Sequence, residues 1–240
     1  MGGRGRGSGQ AARQQRDDES NFPGVGGNKF PDTSASHVKY DGGRTESNPY
    51  GSVNHDAVKA DIQRRFGVGA EEAEDMYDGV RAFTGAPYSE IRAAQKNGDT
   101  TSYYGRQGAN AERFIEAGIK SGNGWKGGVT YRGVAVDDAT LEGFSQIPNG
   151  SDVNIHLGGS ASWATRVGVA QGFAEDNEYG PMTNKVVFVN MDSTQRGVSV
   201  AGISSSGYGE REVLCSKDAK FTKVGQRRMG EYTYIYVRNS

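Results

Sequence analysis

The hydrophobic period of this chain changes once, near Gly127, and that change limits the folds open to it. Before it, apolar residues recur at helical spacing. Val53, Ala57, Val58, Ile62 and Phe66 predict one helix over 53–66. Ala73, Met76, Tyr77, Val80 and Phe83 predict a second over 70–83. Thr84-Gly85-Ala86-Pro87 breaks the pattern, and Pro87 suits the first turn of a third helix, through Ile91 and Ala94 to Gly98. Phe114, Ile115 and Ile119 share one side of a fourth, over 110–119. After Gly127, short β-branched and aromatic runs read as strands over 129–134, 153–157, 185–190, 212–214, 220–224 and 232–237. One helix, over 166–174, interrupts them. Helices first and strands afterwards predict an α+β fold, with a helical cluster packed on a mostly antiparallel sheet or sandwich.

Residues 1–50 do not join this pattern. They are rich in Gly, Ser, Asn, Asp, Arg and Gln, and such a segment buries too little surface to offset its ordering entropy. The expected organisation is a disordered tail over 1–50 and one domain over 51–240. Up to Arg16 the tail holds Arg4, Arg6, Arg13 and Arg16 and no acid. Arg/Gly segments track nucleic-acid backbones, but these four charges lack the interleaved aromatics such binding uses, so a solvated tail is the simpler reading. No apolar run approaches the ~20 residues that span a bilayer, and no apolar segment of a secretory signal follows the N-terminus. The expectation is a soluble protein without a membrane partner. The lone Cys215 excludes an intrachain disulfide.

Three polar features sit in the strand region. Glu210 and Glu212 stand two apart, so on an extended strand both face one side, with Arg211 turned away. Two acids held together repel, and a chain that keeps them has a polar or cationic partner for them, or else leaves them at a solvated edge. Arg132 lies in an apolar strand before Gly133, and needs either an anionic partner or exposure. Ser160-Ala161-Ser162-Trp163-Ala164-Thr165 precedes the interrupting helix; its hydroxyls either cap that helix or orient a neighbouring carboxylate. Neither a GxGxxG unit joining a strand to a helix nor a P-loop is present. His37, His55 and His156 lack metal-ligand spacing, so no metal is expected.

In sequence order, these features resemble the ADP-ribosyltransferases of the Arg-Ser-Glu class. Tyr131-Arg132-Gly133-Val134 resembles their aromatic-Arg strand. Ser162-Trp163-Ala164-Thr165, up to Ala170 and Phe173, resembles their Ser-Thr-Ser strand and following helix. Glu210-Arg211-Glu212-Val213-Leu214, then Ala219-Lys220-Phe221, resembles their Glu-x-Glu motif and next strand. Upstream, Phe83-Thr84-Gly85-Ala86-Pro87-Tyr88-Ser89-Glu90-Ile91 resembles a segment of the toxin-type members. The match runs from about residue 52 onward. The second motif departs from the family, with Trp163 and Ala164 in place of Thr and Ser. Counting back from Ala170 and Phe173 favours Ser162 as its leading serine, with Ser160 the other candidate.

The resemblance implies a helical cluster on a mostly antiparallel two-sheet core, NAD⁺ as cosubstrate, and mono-ADP-ribosyl transfer to an arginine. It places Arg132, with Tyr131 and Gly133 beside it and Ser162 across from it, at NAD⁺. Ser162 would hold the catalytic Glu212, which stabilises the oxocarbenium as nicotinamide leaves. Glu210 would receive the acceptor guanidinium. The loop 202–209, from Gly202 to Gly209 and including Tyr208, would face a target protein. A monomer is expected, reaching a host cytoplasm by delivery or phage infection, or secreted without a recognisable signal; the Met1-Gly2-Gly3-Arg4-Gly5 start looks like that of some phage structural proteins. The rivals are an NAD⁺ glycohydrolase or a nucleic-acid ADP-ribosyltransferase of the same fold, and an inactive virion-associated module.

Overall fold

The computed structural model describes residues 53–176, 180–192, 194–205 and 212–240. The expected tail, Glu210, and positions 206–209 of the expected recognition loop, Tyr208 among them, lie outside the described residues.

Four helices come first: α1 (His55–Phe66), α2 (Ala70–Phe83), α3 (Tyr88–Lys96) and α4 (Tyr103–Lys120). Asn54 caps α1 by accepting from the Ala57 amide at 3.1 Å, and Gly67 closes it in the left-handed region at φ 69°. α4 begins seven residues before the expected start, at a Ser102 cap. The sequence hid this turn because Gly105 and Gly108 are poor helix formers. Both are there for close approach: a Cβ on Gly105 would stand 2.6 Å from the Asp99 carbonyl oxygen, and one on Gly108 2.8 Å from Gln95 Cγ.

The remaining elements are β1 (Thr130–Val136), α5 (Asp138–Gln146), β2 (Asp152–Val153), β3 (Ala161–Ala164), α6 (Val167–Asp176), β4 (Asn184–Asn190), β5 (Gly197–Ser199), β6 (Glu212–Cys215), β7 (Phe221–Met229) and β8 (Tyr232–Asn239). The expected two-sheet, mostly antiparallel core is corrected. Among the described residues the strands form one mixed eight-stranded sheet, in the order β2-β7-β8-β4-β1-β3-β6-β5, with β4 and β8 parallel. The joint is the pairing of β1 with β3 at Tyr131↔Ala164. One core cluster still collects Trp163, Val213 and Cys215 from one half of the sheet and Val186, Phe188, Ile235 and Val237 from the other. The halves therefore face each other across that core, and the sheet folds over at the joint.

A second cluster fastens the helices to the β5–β6 half: Val58, Ile62, Met76, Val80, Phe83, Ile91, Phe114 and Ile115 pack with Val198, Val200, Ile203 and Leu214. A third lies under α6, where Val167, Ala170 and Ala174 cover Tyr131, Val187, Val189 and Tyr234. The expected strand over 153–157 is cut short after Val153. Asn154 Oδ1 accepts from the Leu157 amide at 2.8 Å, and Leu157 takes φ 52°. The chain turns there and carries the His156 carbonyl toward α3.

Candidate functional site

β1 carries Arg132 into the interior, where it is 8% exposed. Its Nη1 donates to the Ser162 carbonyl at 2.8 Å, and its Nη2 to the Tyr88 hydroxyl at 3.2 Å. β3 lies between β1 and β6, with Ser162 opposite Leu214 and Ala164 opposite Glu212. Ser162 and Glu212 are thus diagonal neighbours on one face, within reach of each other's side chains. The Ser162 hydroxyl donates to Glu212 Oε1. One residue holds both charged groups, the arginine by its carbonyl and the carboxylate by its hydroxyl. The other oxygen, Glu212 Oε2, accepts from the Ser204 hydroxyl at 2.8 Å.

α3 adds positive charge. Tyr88, Arg92 and Lys96 are spaced four apart and so share one helix face. Arg92 Nη1 donates to the Tyr88 hydroxyl at 3.4 Å, and Arg92 Nη2 to the His156 carbonyl at 2.6 Å. The Tyr88 oxygen therefore sits between two guanidiniums. Burial raises its pKa, but the charges of Arg132 and Arg92 outweigh that and leave it below the usual phenol range. Burial lowers the pKa of Arg92; the Tyr88 oxygen opposes this and the Arg132 charge adds to it. Burial, then the Arg92 charge, lowers Lys96. The Nε atoms of Arg92 and Arg132 are both shut off from solvent without a hydrogen-bond partner among the described residues. Two close cations with donors to spare are suited to an anion with several acceptor oxygens, such as a phosphate.

Below them lies His156, 2% exposed. Its Nδ1 meets the Ser216 carbonyl at 2.9 Å, so Nδ1 carries the proton; Nε2 accepts from Trp163 Nε1 at 2.9 Å. Burial, then the Arg132 charge, pulls its pKa from 6.5 to about 3. Folding thus prefers the neutral ring. The stability this contributes is complete above pH 6.5 and is lost as pH falls toward 3, over a range worth about 5 kcal/mol. His156→Asn keeps a donor toward Ser216 and removes the titration. At pH 8 it should melt below the wild type, and by pH 4 the gap should close. A gap of constant size across that range, measured by thermal denaturation, would contradict this account.

Of the residues singled out in the sequence, the structure brings Arg132, Ser162 and Glu212 together. Ser160 lies elsewhere: it donates to Glu112 Oε2 at 2.6 Å and accepts from Gln95 Nε2 at 2.9 Å. The structure does not bring Tyr131 and Gly133 to the guanidinium. Alternation along β1 turns them away from Arg132 and under α6. Tyr131 is 2% exposed among Val167, Ala170 and Ala174, and a Cβ on Gly133 would stand 1.6 Å from the Ala170 carbonyl oxygen. Trp163, which breaks the family motif, fills the core and anchors His156. Arg92 and Ser204 escaped the sequence reading. Arg92 is legible as the residue one turn after Tyr88 on α3; nothing local marks Ser204 within its Gly/Ser segment.

No protein-family model matches the chain, and no curated protein matches it in sequence. Solved structures do. The Vis toxin, an ADP-ribosyltransferase from Vibrio splendidus, is 23% identical at a TM-score of 0.52, covering 82% of this chain and 87% of its own. Exoenzyme S from Pseudomonas aeruginosa is 18% identical at 0.50, covering 78% and 88%. The ADP-ribosyltransferase HopU1 of Pseudomonas syringae pv. tomato is 14% identical at 0.51, covering 82% and 92%. The chain has the fold that these ADP-ribosyltransferases share.

Proposed function

We propose that the chain transfers ADP-ribose from NAD⁺ to an arginine of a target protein. The observation that carries this reading is the bridge at Ser162, which ties a buried arginine to a buried carboxylate. NAD⁺ presents a pyrophosphate and a glycosidic bond that gains positive charge as nicotinamide leaves. The residues fit both demands. The paired guanidinium charges of Arg132 and Arg92, on either side of the Tyr88 oxygen, attract the phosphates. Glu212, fixed by Ser162 and Ser204, sets a negative charge against the developing cation without needing to reorganise, which is where electrostatic catalysis is most effective. Support for the cosubstrate comes from exoenzyme S, of the same fold, solved bound to carba-NAD.

Glu210, two residues before Glu212, orients the acceptor in this reading. A guanidinium is always charged and donates through a planar fork, so a carboxylate aligns it and helps remove its proton. The Vis enzyme solved with agmatine, a guanidine compound, supports an acceptor of that class. The loop 202–209 then meets the target protein.

Incubating the protein with labelled NAD⁺ and a cell lysate, then mapping modified residues by mass spectrometry, tests the proposal. Arginine adducts are expected; adducts on other residues alone would remove the arginine assignment. Glu210→Gln should lower transfer to arginine strongly while sparing much of the NAD⁺ hydrolysis, because water needs less orientation than a guanidinium. Equal loss of both rates would show that the two glutamates work as one unit.

A further inference from the structure

We propose that Ser204 is a positioning residue for Glu212, holding the second carboxylate oxygen so that the carboxylate plane is fixed before any ligand arrives. The proposal rests on the transferase reading for its catalytic consequence, but not for its geometry. Glu212 Oε1 is taken by Ser162 and Oε2 by Ser204 at 2.8 Å. The terminal torsion of a glutamate is soft and broadly two-fold, so each hydrogen bond to a carboxylate oxygen narrows the range of its plane. With both in place, each oxygen is fixed from a different element.

The second clamp is as firmly built as the first. Ser204 is wholly buried, and the preceding Ile203 is wholly buried in the helical core cluster. Its backbone is closed onto the sheet, since Ile203 N and Ser204 N donate to the Val200 carbonyl at 2.9 and 2.8 Å. Val200 N in turn donates to the carbonyl of Glu212 itself at 2.9 Å. On the other side the next residue is fastened to the end of α2. Ser205 N donates to Thr84 Oγ1 at 2.8 Å, and Ser205 Oγ donates to the Arg81 carbonyl at 2.7 Å. Arg81 Nη1 reaches back to the Ile203 carbonyl at 3.4 Å. Thr84 is itself held by donating to the Val80 carbonyl at 2.9 Å. Ser204 therefore stands where the helical cluster, the sheet and the chain leading to the expected recognition loop meet. Hydrogen bonds of this kind favour the ionised carboxylate as well as its orientation.

A merely structural serine and a positioning serine differ in what their loss changes. In the full chain, Ser204→Ala should lower kcat for NAD⁺ hydrolysis by roughly 10- to 100-fold, the scale of a misplaced catalytic group. KM for NAD⁺ should change by less than about threefold, since Arg132 and Arg92 are untouched. The acidic limb of the kcat–pH profile should move to higher pH. The ¹³C NMR titration of the Glu212 carboxyl, assigned by its absence in Glu212→Gln, should move the same way without any substrate. Ser204→Cys matches the volume with a weaker donor, and should shift the titration in the same direction by less; it also serves if the alanine variant does not fold. An unchanged carboxyl titration in a folded variant, or a fall in melting temperature with kcat intact, would overturn the proposal. A wild type inactive on NAD⁺ would instead defeat the transferase reading, and the NMR titration would still judge the clamp.

Discussion

Glu212→Gln is expected to leave the fold intact and to cut NAD⁺ turnover, to any acceptor or to water, by at least about 10²- to 10³-fold. The two side chains have nearly the same shape. Ser162 and Ser204 hydroxyls both donate and accept, so they rotate to suit an amide in place of the carboxylate. Packing and the backbone pairing of Glu212 are kept. The negative charge is lost, and an amide dipole offsets a developing cation poorly. Removing one preorganised group of this kind costs about 3–4 kcal/mol of transition-state stabilisation. Nicotinamide release measured beside circular dichroism checks both halves of the statement. Turnover near that of the wild type would show that Glu212 is not the group that faces the charge.

Gly133→Ala is expected to have the largest effect on stability. Its Cβ would lie 1.6 Å from the Ala170 carbonyl oxygen, 2.6 Å from that carbonyl carbon and 3.0 Å from the Ala174 nitrogen. These are backbone atoms of α6, so no side chain can swing aside. Relief requires lifting α6 from β1 and exposing Val167, Ala170 and Ala174, all wholly buried. Overpacking of a rigid core costs about 1–3 kcal/mol and sometimes more, and this contact belongs at the top of that range. For a domain of this size that is a fall of roughly 6–12 °C in melting temperature. If Gly133 instead served NAD⁺ as the resemblance implied, the variant would melt like the wild type and bind NAD⁺ weakly.

Gly133 shows where the sequence was legible and where it was not. Its strand is legible, because Arg132 in an apolar run is conspicuous. Its role depends on α6, whose Ala170 lies 37 residues later in the chain (170 − 133), and no local pattern announces that approach. The same holds for the first turns of α4, where Gly105 and Gly108 argue against a helix unless Asp99 and Gln95 are known to crowd them. α1, α2 and α3 were legible because their buried residues recur at helical spacing. α5 was not legible: it buries no residue fully, and only Leu141 and Phe144 of its nine residues pack on the core. β5, of three residues, is too short to show a period.

The site divides in a similar way. Arg132 and Glu212 sit in runs that read as strands, whereas the strand that carries Ser162, β3, was legible only through the resemblance; pairing of β3 with β6 brings Ser162 and Glu212 together. Spacing favours Ser162 over Ser160 without deciding between them, and in the structure both hydroxyls bond a carboxylate. Only the fold shows that one carboxylate is Glu112 and the other Glu212. Ser204 joins through the turn after β5, and Arg92 from the middle of α3, where its partner His156 lies 64 residues away in sequence. Where a loop supplies the contact, sequence gives the neighbourhood and tertiary structure gives the bond.

The central claim is that the Arg132–Ser162–Glu212 constellation performs ADP-ribosyl transfer from NAD⁺. Its most direct test is product analysis after incubating the full chain with isotopically labelled NAD⁺ and agmatine, for the wild type and Glu212→Gln side by side. The account predicts nicotinamide and an ADP-ribosyl guanidine product from the wild type, and neither above background from a folded Glu212→Gln. A wild type that releases no nicotinamide with agmatine or water as acceptor, or a Glu212→Gln variant that forms product at the wild-type rate, would contradict it.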